Sequence, residues 1–386
     1  MQKDQLRHSK AKVSSVVVRL VGSAMVLASL VAFRPGAAQA SGGAPGAVYV
    51  MTNATAGNAI LVFDRAANGG LTPAGSYSTG GSGAPGLGSQ GSLVLTDNQR
   101  WLLAVNAGSN DISVFAVQPN GLQLADTEAS GGDRPVSLTS HGSLVYVVNA
   151  GGSGNVAGFT LAADGNLLPL AGSTQPLSNG GVGAAPGPAQ VSFSPDGAAL
   201  VVTEKATNLI LTYAIGPNGA ASAPVVHVSA GMTPFGFAFG LQGTLVVSEA
   251  FGGAPGASAA SSYHHDGSSL QVVSASVPTH QTAACWVAVT NNGRYAYTTN
   301  AGSSSISGYS VDRSGRLSLL NADGQTGSTG AGSSATDVAL SQNSQFMFVL
   351  AGGSHQVVGF NVNVDGSLTG ISQVAVPAGA TGIAAR

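Results

Sequence analysis

The chain has 386 residues, of which 44% are apolar and 8% charged, with 56 glycines and one cysteine. Its first forty residues hold six of the fourteen Lys and Arg but one of the sixteen Asp and Glu, so the remainder carries 8 basic against 15 acidic groups, a net charge of −7, with Lys205 as its sole lysine. So few cations exclude a phosphate-tracking surface, and with it nucleic-acid binding; they also weigh against a phosphorylated substrate, and a single thiol excludes an intrachain disulfide.

In chain order, Lys3, Arg7, Lys10, Lys12 and Arg19 precede an apolar run at 20–33, and Ala38-Gln39-Ala40 forms a small-x-small site before Ser41. This pattern predicts a secretory signal peptide over 1–40 and a secreted or periplasmic product. No later apolar run is long enough to span a bilayer, so no membrane attachment is expected after cleavage.

The remainder, 41–386, reads as one repeated unit. Its clearest copy is PAQVSFSPDGAALVVTEK at 188–205. Two short apolar strands flank Ser194-Pro195-Asp196-Gly197, where Pro presets φ, Asp bonds its own backbone and Gly supplies positive φ. Second strands of the same kind end at Asn53, Asn106, Asn149, Glu204, Glu249, Asn300 and Ala351, about fifty residues apart. Each is followed by an outer strand (ILVFDR, ISVFAV, VAGFTL, LILTYAI, SASSYHH, ISGYSV, VVGFNV) and, in most, by a Leu-containing fourth segment. Four short strands per unit predict an all-β, seven-bladed β-propeller with four-stranded blades. Inner strands precede the turns as SLVLTDNQ, VSLTSHG, QVSFSPDG, GFAFGLQG, WVAVTNNG and DVALSQNS, which is six. The seventh is expected in Gly382-Ile383-Ala384-Ala385, pairing with blade 1 to close the ring and remove its edges. The blades fall near 48–80 plus 380–385, 87–132, 135–180, 188–231, 234–280, 283–329 and 335–378.

SFSPDGAALVV, GSQGSLVL, AVNAGSNDISVF and VTEKATN resemble blade motifs of the bacterial lactonase family, which includes 6-phosphogluconolactonase and fungal carboxymuconate cyclase. GLGSQG, TPFGFAF, SEAFGGAPGASA and QTAACWV resemble its exported members. The resemblance covers 48–385 and implies a lactone hydrolase, of the carboxylic ester hydrolase class. It also implies an Arg-His pair opening one inner strand, where this chain has Ala189-Gln190, and an acidic residue that Glu204 matches. The missing pair leaves open a non-catalytic propeller that binds a ligand or another protein.

Second-strand ends and inner-strand beginnings open on one face, around the mouth of the central channel. Asn at a strand end serves its own turn, so Glu204 and Glu249 interrupt a pattern that could have stayed Asn. On neighbouring blades, the two carboxylates are expected to approach one part of the mouth and divide acid and base roles; a structural pair is the competing reading. Lactone hydrolysis needs a base, a donor for the developing oxyanion and a grip on the ring. Glu204, Glu249 and Arg134 are therefore the candidate catalytic residues, with Lys205, Gln190, Gln90, Asn106, Asn149 and Asn300 for substrate. Phe235, Trp286 and Asp337 also lie in lead-in segments at the mouth. The expected partner is a small molecule at the mouth, with no cofactor; a divalent cation held by the carboxylates stays open, and a protein partner is not specified. The Gly-rich stretches 80–88, 179–187 and 252–259 are expected to be mobile loops around the mouth. His264-His265-Asp266 reads as solvated turn residues, and Cys285 as a buried thiol.

Overall fold

The structure is a computed structural model that describes residues 45–267 and 269–386; the expected signal peptide lies outside them. Seven antiparallel sheets follow one another around an axis. In blade 4, Pro188–Phe193 is innermost, followed outward by Ala199–Glu204, Leu209–Ala214 and Val225–Val228. The other blades repeat this order. In blades 3 and 6 the outermost strand is split into two short pieces, Leu167–Pro169 with Gln175–Pro176 and Leu317–Leu319 with Gly327–Ser328.

Burial explains the pattern of the second strands. Gly46–Met51, Trp101–Asn106, Ala199–Glu204, Thr244–Glu249, Tyr295–Asn300 and Phe346–Ala351 are buried at every position. Both faces of such a strand lie under neighbouring blades, so it reads as a continuous apolar run, whereas outermost strands such as Leu71–Ser78 are partly exposed along their length. Tyrosines join blade to blade: the Tyr146 hydroxyl donates to Gly219 O (2.8 Å) and accepts from Ala221 N (2.8 Å), and Tyr297 donates to Gly366 O (2.8 Å).

Ring closure is as the sequence predicts. Thr381–Ala385 pairs antiparallel with Gly46–Met51, which makes the last strand of the chain the innermost strand of blade 1. Arg65 ties the closing strand to the lead-in of the first, donating from Nε to Arg386 O (3.2 Å) and from Nη2 to Pro45 O (3.1 Å). Asp337, on the innermost strand of blade 7, accepts hydrogen bonds from the backbone of Val338, Ile383 and Gly382, so its carboxyl latches the closing strand. It is fully buried, and that desolvation pushes its pKa up to about 7 despite the amide donors.

The innermost strand of blade 2 lies in the expected segment but is short, Leu93–Leu95; Ser92 O still accepts from Val105 N of the second strand (3.0 Å), and Gln90 ahead of it turns into the channel.

The Asp337 shift has a consequence for stability. Between about pH 4 and about pH 7 the native carboxyl keeps a proton that the unfolded chain releases, so this group's contribution falls as pH rises. Urea unfolding should show wild type gaining stability relative to Asp337→Asn as pH is lowered from 8 to 5, by roughly 1.4 kcal/mol per pH unit at the steepest. A difference independent of pH would contradict the latch being a desolvated carboxyl.

Candidate functional site at the channel mouth

Innermost strands present unpaired backbone groups to the axis, and buried groups of this kind need partners. Side chains of the preceding blade supply several of them. Ser137 Oγ and Thr139 Oγ1 of blade 3 accept from Val191 N (3.1 Å) and Phe193 N (3.2 Å) of blade 4. Gln190 of blade 4 makes a two-point bond to Phe237 of blade 5, accepting from its N–H (2.7 Å) and donating to its C=O (3.0 Å). Ser248 of blade 5 donates to Cys285 O of blade 6 (2.6 Å).

Gln90 makes the same two-point bond but reaches across the channel. From blade 2 it accepts from Val287 N (2.9 Å) and donates to Val287 O (2.7 Å), on blade 6. Trp286 Nε1 donates back to Ser89 O (2.8 Å), Ser89 Oγ bonds Val136 O (2.7 Å), and Gln90 N bonds Ala189 O (3.1 Å). Three other blades thus hold one short segment that lies across the axis. Gly236 sits against it, where a Cβ would collide with Gln90 Oε1. Below the crossing is a cavity of about 280 Å³ whose lining includes Gln90, Gln190, Thr139, Ser192 and Asp337. Above it is the mouth.

The two glutamates have separate surroundings. Glu204 is fully buried and accepts from Ser178 N (3.0 Å), Ser178 Oγ (2.6 Å) and Thr207 Oγ1 (2.7 Å). Glu249 is also fully buried; it accepts from the Ser261 and Ser276 hydroxyls on the two outer strands of its own blade, and from the backbone of Gly231. Burial raises its pKa against those donors. The carboxylates share no hydrogen-bond partner, and each serves the packing around its own second-strand end. The Asn positions do the same: Asn106 donates to Asp111 and Ser113 (2.5 and 2.7 Å), Asn300 to Ser305 and Ser307 (3.0 and 2.9 Å), and Asn149 to Ser130 O and Asn155 (3.1 and 2.8 Å).

Arg134 and Lys205 are placed differently. Arg134 is the left-handed residue (φ 55°) just before the innermost strand of blade 3; Thr233, Ala283 and Ser334 occupy the same conformation ahead of blades 5, 6 and 7. Its Nη2 donates to Pro85 O (2.9 Å) and Gly86 O (3.1 Å). Lys205 Nζ donates to Gly88 O (2.7 Å) and lies 4.8 Å from the centroid of the Phe235 ring, which packs on Trp286 at 5.0 Å. Both cations are half-buried, and the one ion pair among the described residues is His141 with Asp97, elsewhere. Neither therefore has a carboxylate partner. Burial lowers the proton affinity of Lys205, with the Arg134 charge adding to that effect.

Other expectations fare unevenly. The stretch 80–88 is tied down by Arg134, by Lys205 and by Asn53, whose side chain bonds both Ala84 N (3.1 Å) and Ala84 O (2.8 Å). His265 is a correction: it lies in the strand Ala259–Asp266, buried against Phe239 at 5.7 Å, whereas its neighbours His264 and Asp266 are exposed. Cys285 is buried, and desolvation pushes its thiol up to about 12. Among the described residues, no group of three or more His, Cys, Asp or Glu is placed to hold a metal ion, and no helix is long and apolar enough to cross a membrane. Sequence reasoning misses the Gln90 crossing, because nothing in GSQG marks a departure from the strand pattern.

The family model described as a lactonase, 7-bladed beta-propeller, matches residues 46–176 and 256–381. Between those segments lie Gln190, Glu204, Lys205, Phe235 and Glu249. No curated protein matches the chain by sequence. Among solved structures, it is similar to a provisionally named 6-phosphogluconolactonase from Bacteroides fragilis, with 18% identity, 88% of this chain and 98% of that one covered, and a TM-score of 0.69. A protein from Lactobacillus plantarum gives 18%, 88%, 99% and 0.70. The periplasmic gluconolactonase of Pseudomonas aeruginosa gives 19%, 88%, 98% and 0.67. At these identities the likeness is one of fold.

The Glu249 environment predicts a distinct response to two substitutions. Glu249→Ala strands two buried hydroxyls and an amide and should cost about 3 kcal/mol. Glu249→Gln keeps one accepting oxygen, and a serine hydroxyl can turn to accept from the new amide N–H, so it should cost less, about 1 kcal/mol. Equal losses in urea unfolding would contradict a packing role.

Proposed function

Since the chain belongs to the lactonase family of seven-bladed β-propellers, we propose that it is an exported propeller whose mouth binds a small non-phosphorylated organic acid or its lactone. One observation carries this reading: Arg134 and Lys205, two half-buried cations without a carboxylate partner among the described residues, meet over the same short loop. A carboxylate there would gain charge-assisted hydrogen bonds, and the planar guanidinium suits a two-oxygen contact. Phe235 offers an apolar edge for the carbon skeleton. The basic and apolar residues before Ser41 support export.

Binding without turnover is the form we favour. A base must reach the water it activates, and Glu204 and Glu249 are each held by hydroxyls inside the protein. Hydrolysis of a lactone is the second reading, favoured by the family match. It would require one glutamate to leave those partners.

Calorimetric titration with gluconate, alongside hydrolysis of gluconolactone, separates the two. Arg134→Gln should weaken acid binding by about tenfold or more, the scale of one charge-assisted hydrogen bond. Unchanged affinity would overturn the anion-binding mouth. Turnover above buffer that is lost in Glu249→Gln would restore the hydrolase.

A further inference from the structure

Lys205 is the one lysine among the described residues, and its setting is unlike that of a solvated surface amine. Its Nζ sits 4.8 Å from the Phe235 ring centroid and spends one donor on Gly88 O. The carboxylate of the adjacent Glu204 is engaged by Ser178 and Thr207 and forms no ion pair with Nζ. The neighbouring Cys285 thiol is buried and un-ionised at neutral pH. Arg134 grips the same loop from the other side, at Pro85 and Gly86. A half-desolvated amine beside a second cation is the arrangement that frees a lysine lone pair for attack on carbonyl carbon.

We propose that Lys205 is a covalent site, at which its amine forms a Schiff base with a small aldehyde or ketone that also bears a carboxylate. This rests on the reading of the mouth as an anion site, because Arg134 is the group that would hold the carboxylate while the carbonyl lies over Lys205. The chemistry balances without a redox partner. The uncharged Nζ lone pair forms the C–N bond, and the carbonyl π electrons move to oxygen, which takes up a proton. The nitrogen gives up one proton as the carbinolamine forms, and the carbinolamine hydroxyl then takes up a proton from solvent and leaves as water, so the net change is uncharged amine plus carbonyl plus one proton giving a protonated imine plus one water. Lowered proton affinity, caused first by burial and then by the Arg134 charge, enlarges the reactive fraction at neutral pH.

Borohydride-type trapping tests the site directly. The full chain is incubated at pH 7 with glyoxylate, or with propanal as its uncharged counterpart, in the presence of cyanoborohydride, and the secondary amine is mapped by mass spectrometry. The expected result is an adduct at Lys205 forming several-fold faster than on N-acetyl-lysine, because burial lowers the proton affinity of its amine. Glyoxylate should outpace propanal relative to their rates on N-acetyl-lysine, and Arg134→Gln should remove that preference while leaving the propanal adduct. Lys205→Arg, which retains a donor for Gly88 O, should unfold at the wild-type temperature and give no adduct at that position. Absence of a Lys205 adduct with both probes, or labelling no faster than N-acetyl-lysine, would overturn the covalent site. Labelling by both probes with no preference for glyoxylate would instead overturn the ligand class and the anion-binding mouth beneath it.

Discussion

The constraint on which this propeller depends is the inner edge of each blade. Seven sheets arranged around an axis leave seven innermost strands with one side of their backbone unpaired, and an unpaired edge is a liability in water and a cost when buried. The chain answers with side chains rather than further strands. Ser137, Thr139, Gln190 and Ser248 each serve the next blade, and Asp337 of blade 7 does so for the closing strand in blade 1. Gln90 uses the same two-point amide bond across the axis. That single difference in reach separates the mouth from the inner cavity.

The same constraint accounts for residues that resemble catalytic machinery in a linear reading. Glu204 and Glu249 stand where other blades have Asn, and they do what those Asn residues do with different donors. Ser178 and Thr207, or Ser261 and Ser276, take the place of the acceptors that an amide would bond. The two cations at the mouth that have no carboxylate partner among the described residues are Arg134 and Lys205. Their hydrogen bonds go to carbonyl oxygens of one glycine-rich loop, which hold them in place without cancelling their charge.

The fold was legible in the sequence because a propeller repeats its evidence. Seven second strands, the SPDG-type turns and the displaced strand at 382–385 all demand one closed ring, and the pairing of Thr381–Ala385 with Gly46–Met51 meets that demand. The mouth was half legible. Residue types at strand ends could be assigned to a face, but the direction of a carboxylate depends on serines brought from twelve to twenty-seven positions away, as with Ser261 and Ser276 around Glu249. The Gln90 crossing was invisible for a similar reason, since its partner Val287 is 197 residues distant. Glycine content at 80–88 suggested mobility, whereas tethering by Arg134, Lys205 and Asn53 is a property of the assembled ring.

Amide hydrogen exchange at Val287 tests the central claim most directly. This N–H faces the axis from an innermost strand, where Gln90 Oε1 accepts its hydrogen bond and closes it off from solvent. Protection comparable to that of the second-strand amides, lost in Gln90→Ala, is the predicted result. Exchange at the rate of an open strand edge in the wild-type protein would contradict the crossing, and with it the division of the channel into a mouth and an inner cavity.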